Sequence, residues 1–173
     1  HGDHYFGLIG LLTTFQLLRR ESKLTIIGPP QLEQIIQLQL AVSESVLTYP
    51  LEFISTITSA SEVIYENNDV VVTSFPLKHR IPCTGFVFRE KLYPRKIHPE
   101  IIKKYKFSPE GYEDLRNGLD VCDLSGQLHK NEELTIKGWK PRAYAYCTDT
   151  LFLPSIIPII TEVNLLYHES TFI

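Results

Sequence analysis

Apolar residues recur along this chain in two spacings, and the spacing changes from segment to segment. Residues 5–20 are apolar over most of their length, which predicts a mostly buried helix ended by the polar run RRES. KLTIIGPP predicts a short buried strand closed by Gly28 and a proline pair. Residues 31–45 place Leu32, Ile35, Ile36 and Leu40 at helical spacing just after Pro30, which predicts a second helix. LEFISTI predicts a strand, and EVIYENNDVVVTSFPL predicts a hairpin turned by Asn67, Asn68 and Asp69. TGFVFRE predicts another strand. Residues 89–118 change character: they are charged, contain proline, and predict two short helices. RAYAYCTDT predicts a strand running into a loop. LFLPSIIPII predicts a proline-punctuated helical segment, and VNLLYHEST a last strand. Mixed helices and buried strands predict an α/β fold with helices packed on sheets.

Composition narrows the picture modestly. A chain of 173 residues has room for one domain with a core. Its formal net charge of -3 names no partner. No apolar run is long and clean enough to span a bilayer, so no membrane association is expected. Residues 5–18 lack the basic flank and cleavage site of a signal peptide. Cys83, Cys122 and Cys147 are widely spaced and form no CxxC pair, which predicts a reducing, cytoplasmic setting. The chain contains no methionine and begins at His1, which predicts that it is part of a longer protein.

Candidate chemistry lies in four polar clusters at strand ends or turns. They are His1, Gly2, Asp3 and His4; His79 in LKHRIPCTGF; Asp149 in YCTDT; and His168 with Glu169 in YHEST. Histidine and aspartate are natural ligands for zinc-like ions. His1, Asp3 and His4 are too close together to share one helix face and fit a tight loop, where Gly2 allows a sharp turn. Taken singly, each residue reads as an ordinary satisfied polar group, and Asp149 as a turn residue or helix cap. His98 and His129, in charged loop-like sequence, are expected to be exposed.

As an ordered set, the clusters resemble a known family. HGDH followed by YFGLIGLL resembles the end of the HxHxDH signature of the metallo-β-lactamase fold, and more narrowly that of ribonuclease Z, the tRNA 3′-processing endonucleases. LKHRIPCTGFVFRE, YCTDT and LLYHESTF resemble that family's next three motifs, with Ser170 in an alanine position. The resemblance implies an αββα sandwich of two mixed sheets with outer helices, incomplete at both ends. It implies two zinc ions per subunit, with manganese or another divalent metal as a substitute. His1 and His79 would hold one ion, Asp3 and His4 the other, and Asp149 would bridge them. Asp3 would also accept a proton, while His168 and Glu169 would orient ligands or substrate. The implied activity is removal of the 3′ trailer from precursor tRNA, leaving a 3′-hydroxyl, by a homodimer.

The chain departs from the family at its ends. The signature's first histidine is expected two residues before His1, and a last zinc ligand and a catalytic histidine beyond Ile173. A 173-residue piece alone is expected to be inactive. The alternatives are another hydrolase of the same fold, such as a phosphodiesterase or an arylsulfatase-like enzyme, and a non-catalytic tRNA-binding or dimerisation copy.

One further segment stands out. Residues 89–106 hold Arg89, Lys91, Arg95, Lys96, Lys103, Lys104 and Lys106 against two glutamates, a local +5 in an acidic chain. With Tyr93, Tyr105 and Phe107 interleaved, this is an electrostatic footprint for RNA backbone, the other reading being a solvated helix face. In the resembled family a protruding arm lies between the same two motifs and grips tRNA. The expected organisation is therefore a single domain over 1–173 with a basic arm inserted at about 90–140.

Overall fold

The computed structural model describes residues 2–170. In chain order, a 3-10 turn at Gly2–His4 leads into α1 (Phe6–Leu17), β1 (Leu24–Gly28), α2 (Gln31–Val42), β2 (Leu51–Ser55), β3 (Glu62–Glu66), β4 (Val70–Leu77) and β5 (Cys83–Glu90). There follow β6 (Lys96–Ile97), α3 (Pro99–Lys104), α4 (Pro109–Asn117), β7 (Val121–Cys122), β8 (Leu128–His129), α5 (Asn131–Leu134) and β9 (Thr135–Ile136). The chain closes with β10 (Ala143–Cys147), a turn at Pro154–Ile156, α6 (Ile157–Ile160) and β11 (Leu165–His168). Every element the spacing predicts is present. The two-residue strands β6 to β9 and the short α5 carry too few residues to show a period.

Two compact units result, one from His1–Tyr65, Val72–Phe88 and Tyr144–Ile173, the other from Glu66–Val71 and Arg89–Ala143. In the first, β1 and β2 pair in parallel from Leu24↔Leu51 to Gly28↔Ser55, and α2 makes the crossover. Leu12, Ile26, Ile36 and Leu40 bury together beneath that unit's helices. The buried Tyr49 ring donates its hydroxyl to the Leu12 carbonyl at 2.8 Å. A five-stranded sheet runs β11-β10-β5-β4-β3, with β10 and β11 parallel from Tyr144↔Leu165 to Cys147↔His168. Alternate residues of β10 (Ala143, Ala145, Cys147) are buried, as period two requires. Phe75, Leu77, Val87, Ala145, Cys147 and Ile156 form the core of this sheet.

The structure corrects the reading of residues 5–20 as a mostly buried helix. In α1 only Leu12 is buried, while Leu17 and the following Leu18 are 82% and 73% exposed. A helix that is apolar all round cannot bury every face against a single layer. Leu8, Ile9 and Leu12 take the inward side, and the rest is left outward.

The second unit has its own small core of Phe107, Leu115, Val121 and Leu134. Its α4 is bounded by local chemistry. The Ser108 hydroxyl accepts from the Gly111 amide at 3.1 Å, Pro109 opens the helix, and Gly118 closes it at φ 91°. Asn131, buried, donates its amide to the Leu115 and Leu119 carbonyls at 2.7 and 3.0 Å. His129, expected at the surface, is only 6% exposed. Its Nε2 lies 2.9 Å from Asp123 Oδ2, and its ring sits 4.3 Å from that of Tyr105. An imidazole buries where a carboxylate and aromatic rings replace water, which the flanking charges concealed. Donation from Ser125, and then from His129, holds the Asp123 carboxyl well below the usual carboxylate range. His98 is half-buried.

Candidate metal centre

Three of the four polar clusters converge in the first unit. The loop after β4 carries His79, the loop after β10 carries Asp149, and the 3-10 turn ahead of α1 carries Asp3 and His4. His4 Nε2 lies 3.3 Å from Asp149 Oδ1, and His79 Nε2 lies 3.8 Å from Asp149 Oδ2. Each imidazole thus faces a different oxygen of one carboxylate. Asp3 Oδ2 lies 3.6 Å from His4 Nε2. The side chains of His4, His79 and Asp149 are 31%, 25% and 21% exposed and that of Asp3 is 74%, so Asp3 is the member open to solvent. His1 lies outside the described residues.

Backbone ties hold these loops. Lys78 N donates to Thr150 Oγ1 at 3.1 Å, and Leu151 N donates to the Lys78 carbonyl at 2.8 Å. The Glu169 carboxylate accepts from the Thr150 amide, and Glu169 N donates to the Cys147 carbonyl at 3.3 Å. Glu169 therefore fixes the segment that carries Asp149. His168 is exposed, with Nδ1 2.6 Å from the Glu169 carbonyl oxygen. An added Cβ at Gly2 would overlap the Phe6 ring as it stands, a contact that the exposed ring relieves by turning away.

A cavity of about 630 Å³ opens beside the cluster, with His4, His79 and Asp149 at its polar side and Ile27, Leu32, Ile35 and Phe86 among its apolar walls. Cys83 and Tyr146 also line it, and burial pushes the Cys83 thiol up. Thr150, Cys83 and the cavity walls escape sequence reasoning. Thr150 is legible only as the residue after Asp149, and the walls come from strands and helices far apart in the chain.

The donor chemistry fits a divalent ion in part. Donors about 2.0–2.1 Å from a four-coordinate zinc lie about 3.3 Å from one another, close to the separations across Asp149. Among the described residues, no group of three or more His, Cys, Asp or Glu closes on one point. The pairs across Asp149 fit as halves of two donor sets rather than as a complete one.

The predicted RNA-binding residues all lie in the second unit. Lys96, Lys103, Lys104 and Lys106 are exposed, and Lys104 Nζ stands 4.8 Å from the Tyr105 ring centre. Lys91 pairs with Glu66 at 2.5 Å. Arg95 Nε donates to Thr135 Oγ1 at 2.7 Å, part of the Asn131 network. Arg89 is half-buried.

Comparison with known proteins shows what this chain is similar to. No protein-family model matches the chain. Over 172 residues, 99% of its length, it is 41% identical to ribonuclease Z of Bacteroides fragilis, of which it covers 57%. By sequence, this chain is similar to ribonuclease Z along almost all of its own length. It is 40% identical over 172 residues to ribonuclease Z of Bacteroides thetaiotaomicron, covering 54% of it, and 40% over 177 residues to that of Cytophaga hutchinsonii, covering 55%. The chain thus spans a little over half the length of these curated relatives. Its structure matches human tRNase Z, short form, at a TM-score of 0.59 and 21% identity, covering 99% of this chain and 55% of that one. That likeness establishes the fold, a metallo-β-lactamase fold, as the HGDH motif implied. No helix among the described residues is long and apolar enough to cross a membrane.

Proposed function

We propose that the protein containing this chain is a metal-dependent endoribonuclease that removes the 3′ trailer from precursor tRNA, leaving a 3′-hydroxyl. The observation that carries the reading is the meeting of His4 and His79 on opposite oxygens of Asp149, in a chain 41% identical to ribonuclease Z. Two divalent ions, zinc in the first instance, would be held by His1 and His79 on one side and by Asp3 and His4 on the other, with Asp149 between. The chemistry such ions supply is activation of water and neutralisation of phosphoryl charge. Asp3, exposed and adjacent to His4, is placed to take the proton of the attacking water. Glu169, through the Thr150 amide, keeps Asp149 in position, and His168 stands on the solvent side as an orienting group.

In this reading the second unit is the inserted arm, and Lys96, Lys103, Lys104 and Lys106 meet tRNA phosphates. The three free cysteines support a cytoplasmic setting. The homodimer in this reading rests on the family resemblance alone.

The test is cleavage of a precursor tRNA by the gene product that contains this chain. Asp3→Ala should abolish cleavage while the melting temperature holds. Cleavage that persists in this variant removes Asp3 from the chemistry, and an inactive, metal-free wild type leaves the non-catalytic copy as the reading. Lys103→Glu with Lys104→Glu should weaken tRNA binding and reduce the slope of log affinity against log salt by about 2, one unit for each phosphate no longer neutralised. An unchanged slope in a titration from low to physiological salt would place the tRNA elsewhere.

A further inference from the structure

We propose that Trp139, flanked by Lys137 and Lys140 in the second unit, is a stacking platform for an unpaired base of RNA. The inference rests on the RNA-processing reading above and adds a binding residue to it. Trp139 is the single tryptophan of the chain and is 82% exposed. An indole carries the largest apolar surface of any side chain, and leaving it in water needs a reason.

Its backbone is not loose. Gly138 lies so close to residue 93 that an added Cβ would sit 2.8 Å from the Tyr93 carbonyl oxygen, so glycine is needed for the segment to seat there. Three residues after Trp139, Arg142 is clamped to Glu90: its amide donates at 2.9 Å and its Nη2 at 2.9 Å. The indole is therefore held out from a segment pinned on both sides. Beside that seat, Leu92 is 76% exposed and Tyr93 43%, which extends the apolar surface. The Tyr93 hydroxyl is tied to Asp69 Oδ1 at 3.0 Å, so that ring too is fixed.

Charge chooses the occupant. IKGWKPR contains three cations and no carboxylate. Arg142 is spent on Glu90, but Lys137 and Lys140 are exposed and, among the described residues, no carboxylate pairs with either. Glu90 is paired with Arg142 and Glu66 with Lys91, while Asp69 accepts from the Tyr93 hydroxyl and keeps its charge. An exposed aromatic side chain with unpaired lysines two residues before it and one after it suits a ligand with a flat apolar ring beside an anion. A nucleotide in single-stranded RNA has both, the base for the indole and the phosphates for the lysines.

The test follows tryptophan emission of the gene product that contains this chain, with Trp139→Phe as the blank that isolates this indole, because stacking of a base quenches its emission. The probe is a twelve-nucleotide oligouridylate carrying a fluorophore, followed by Trp139 emission and by the anisotropy of the label. Quenching that tracks binding is expected. Trp139→Ala should weaken binding between about 5-fold and 100-fold, and Trp139→Phe should restore most of it. Lys137→Gln with Lys140→Gln should lower the salt slope by about 1.4. If the oligonucleotide binds while emission stays constant and Trp139→Ala binds equally well, the platform is overturned and the function proposed above survives. If neither the oligonucleotide nor precursor tRNA binds, both readings fall. If emission shifts with anionic phosphatidylserine vesicles and not with RNA, the patch is a lipid-binding surface and the proposal is overturned.

Discussion

Replacing Asp149 with asparagine is expected to lower divalent-ion affinity by more than about a hundred-fold and to abolish precursor-tRNA cleavage, with the fold intact. The magnitude follows from the position of the carboxylate. His4 and His79 approach its two oxygens at 3.3 and 3.8 Å, so it is the group common to both halves of the site. Asparagine keeps the shape but removes the negative charge and one of the two acceptor oxygens. Glu169→Gln is the graded control. Glu169 supports the Asp149 segment through the Thr150 amide, and loss of such support costs about 10–100-fold in metal affinity. Titration calorimetry with zinc, run beside thermal melts, separates the two variants. An Asp149→Asn protein that binds zinc as tightly as the wild type would place the metal centre elsewhere.

The second large effect is in the core. Phe75→Ala is expected to destabilise the protein by about 3–5 kcal/mol, against a total of about 5–15 kcal/mol for a typical domain. Phe75 is fully buried, and its ring fills the space over Gly85, where an added Cβ would come within 2.7 Å of it. The ring and the missing side chain at 85 form one fitted pair across β4 and β5. Truncating the ring leaves a void that neither strand can close without giving up its ladder. The site is coupled to this loss, because β4 ends at Leu77, two residues before His79. Urea unfolding should show a lower midpoint with an unchanged slope, and zinc affinity should fall with the folded fraction. A midpoint within a few tenths molar of the wild type would mean that the sheet repacks around the gap.

Much of this is legible in the order of residues alone. The hairpin at Asn67–Asp69, the βαβ crossover from β1 to β2 and the paired short helices α3 and α4 each carry a local signal: a turn triplet, a period or a proline start. The four motifs, taken in order, point to His4, His79 and Asp149, which the structure brings close together. Gly2 shows where such reading stops. Its presence suggests a sharp loop, while the structure gives Gly2–His4 one short 3-10 turn that leads into α1. His129 shows the same limit, since the charged residues around it predict exposure while Asp123 and two aromatic rings bury it.

The sequence by itself determined the longer elements and the fold class, and it singled out candidate acid and imidazole groups, because these depend on neighbours within a few positions or on ordered motifs. Only the tertiary structure decided that one carboxylate receives two histidines from segments far apart in the chain. It also decided that Thr150 and Glu169 hold that carboxylate, and that α1 leaves most of its apolar surface outward. Those outcomes turn on which strands lie side by side and which face meets a second layer. Pairing of that kind is settled by packing over the whole unit, and no local pattern of residues encodes it.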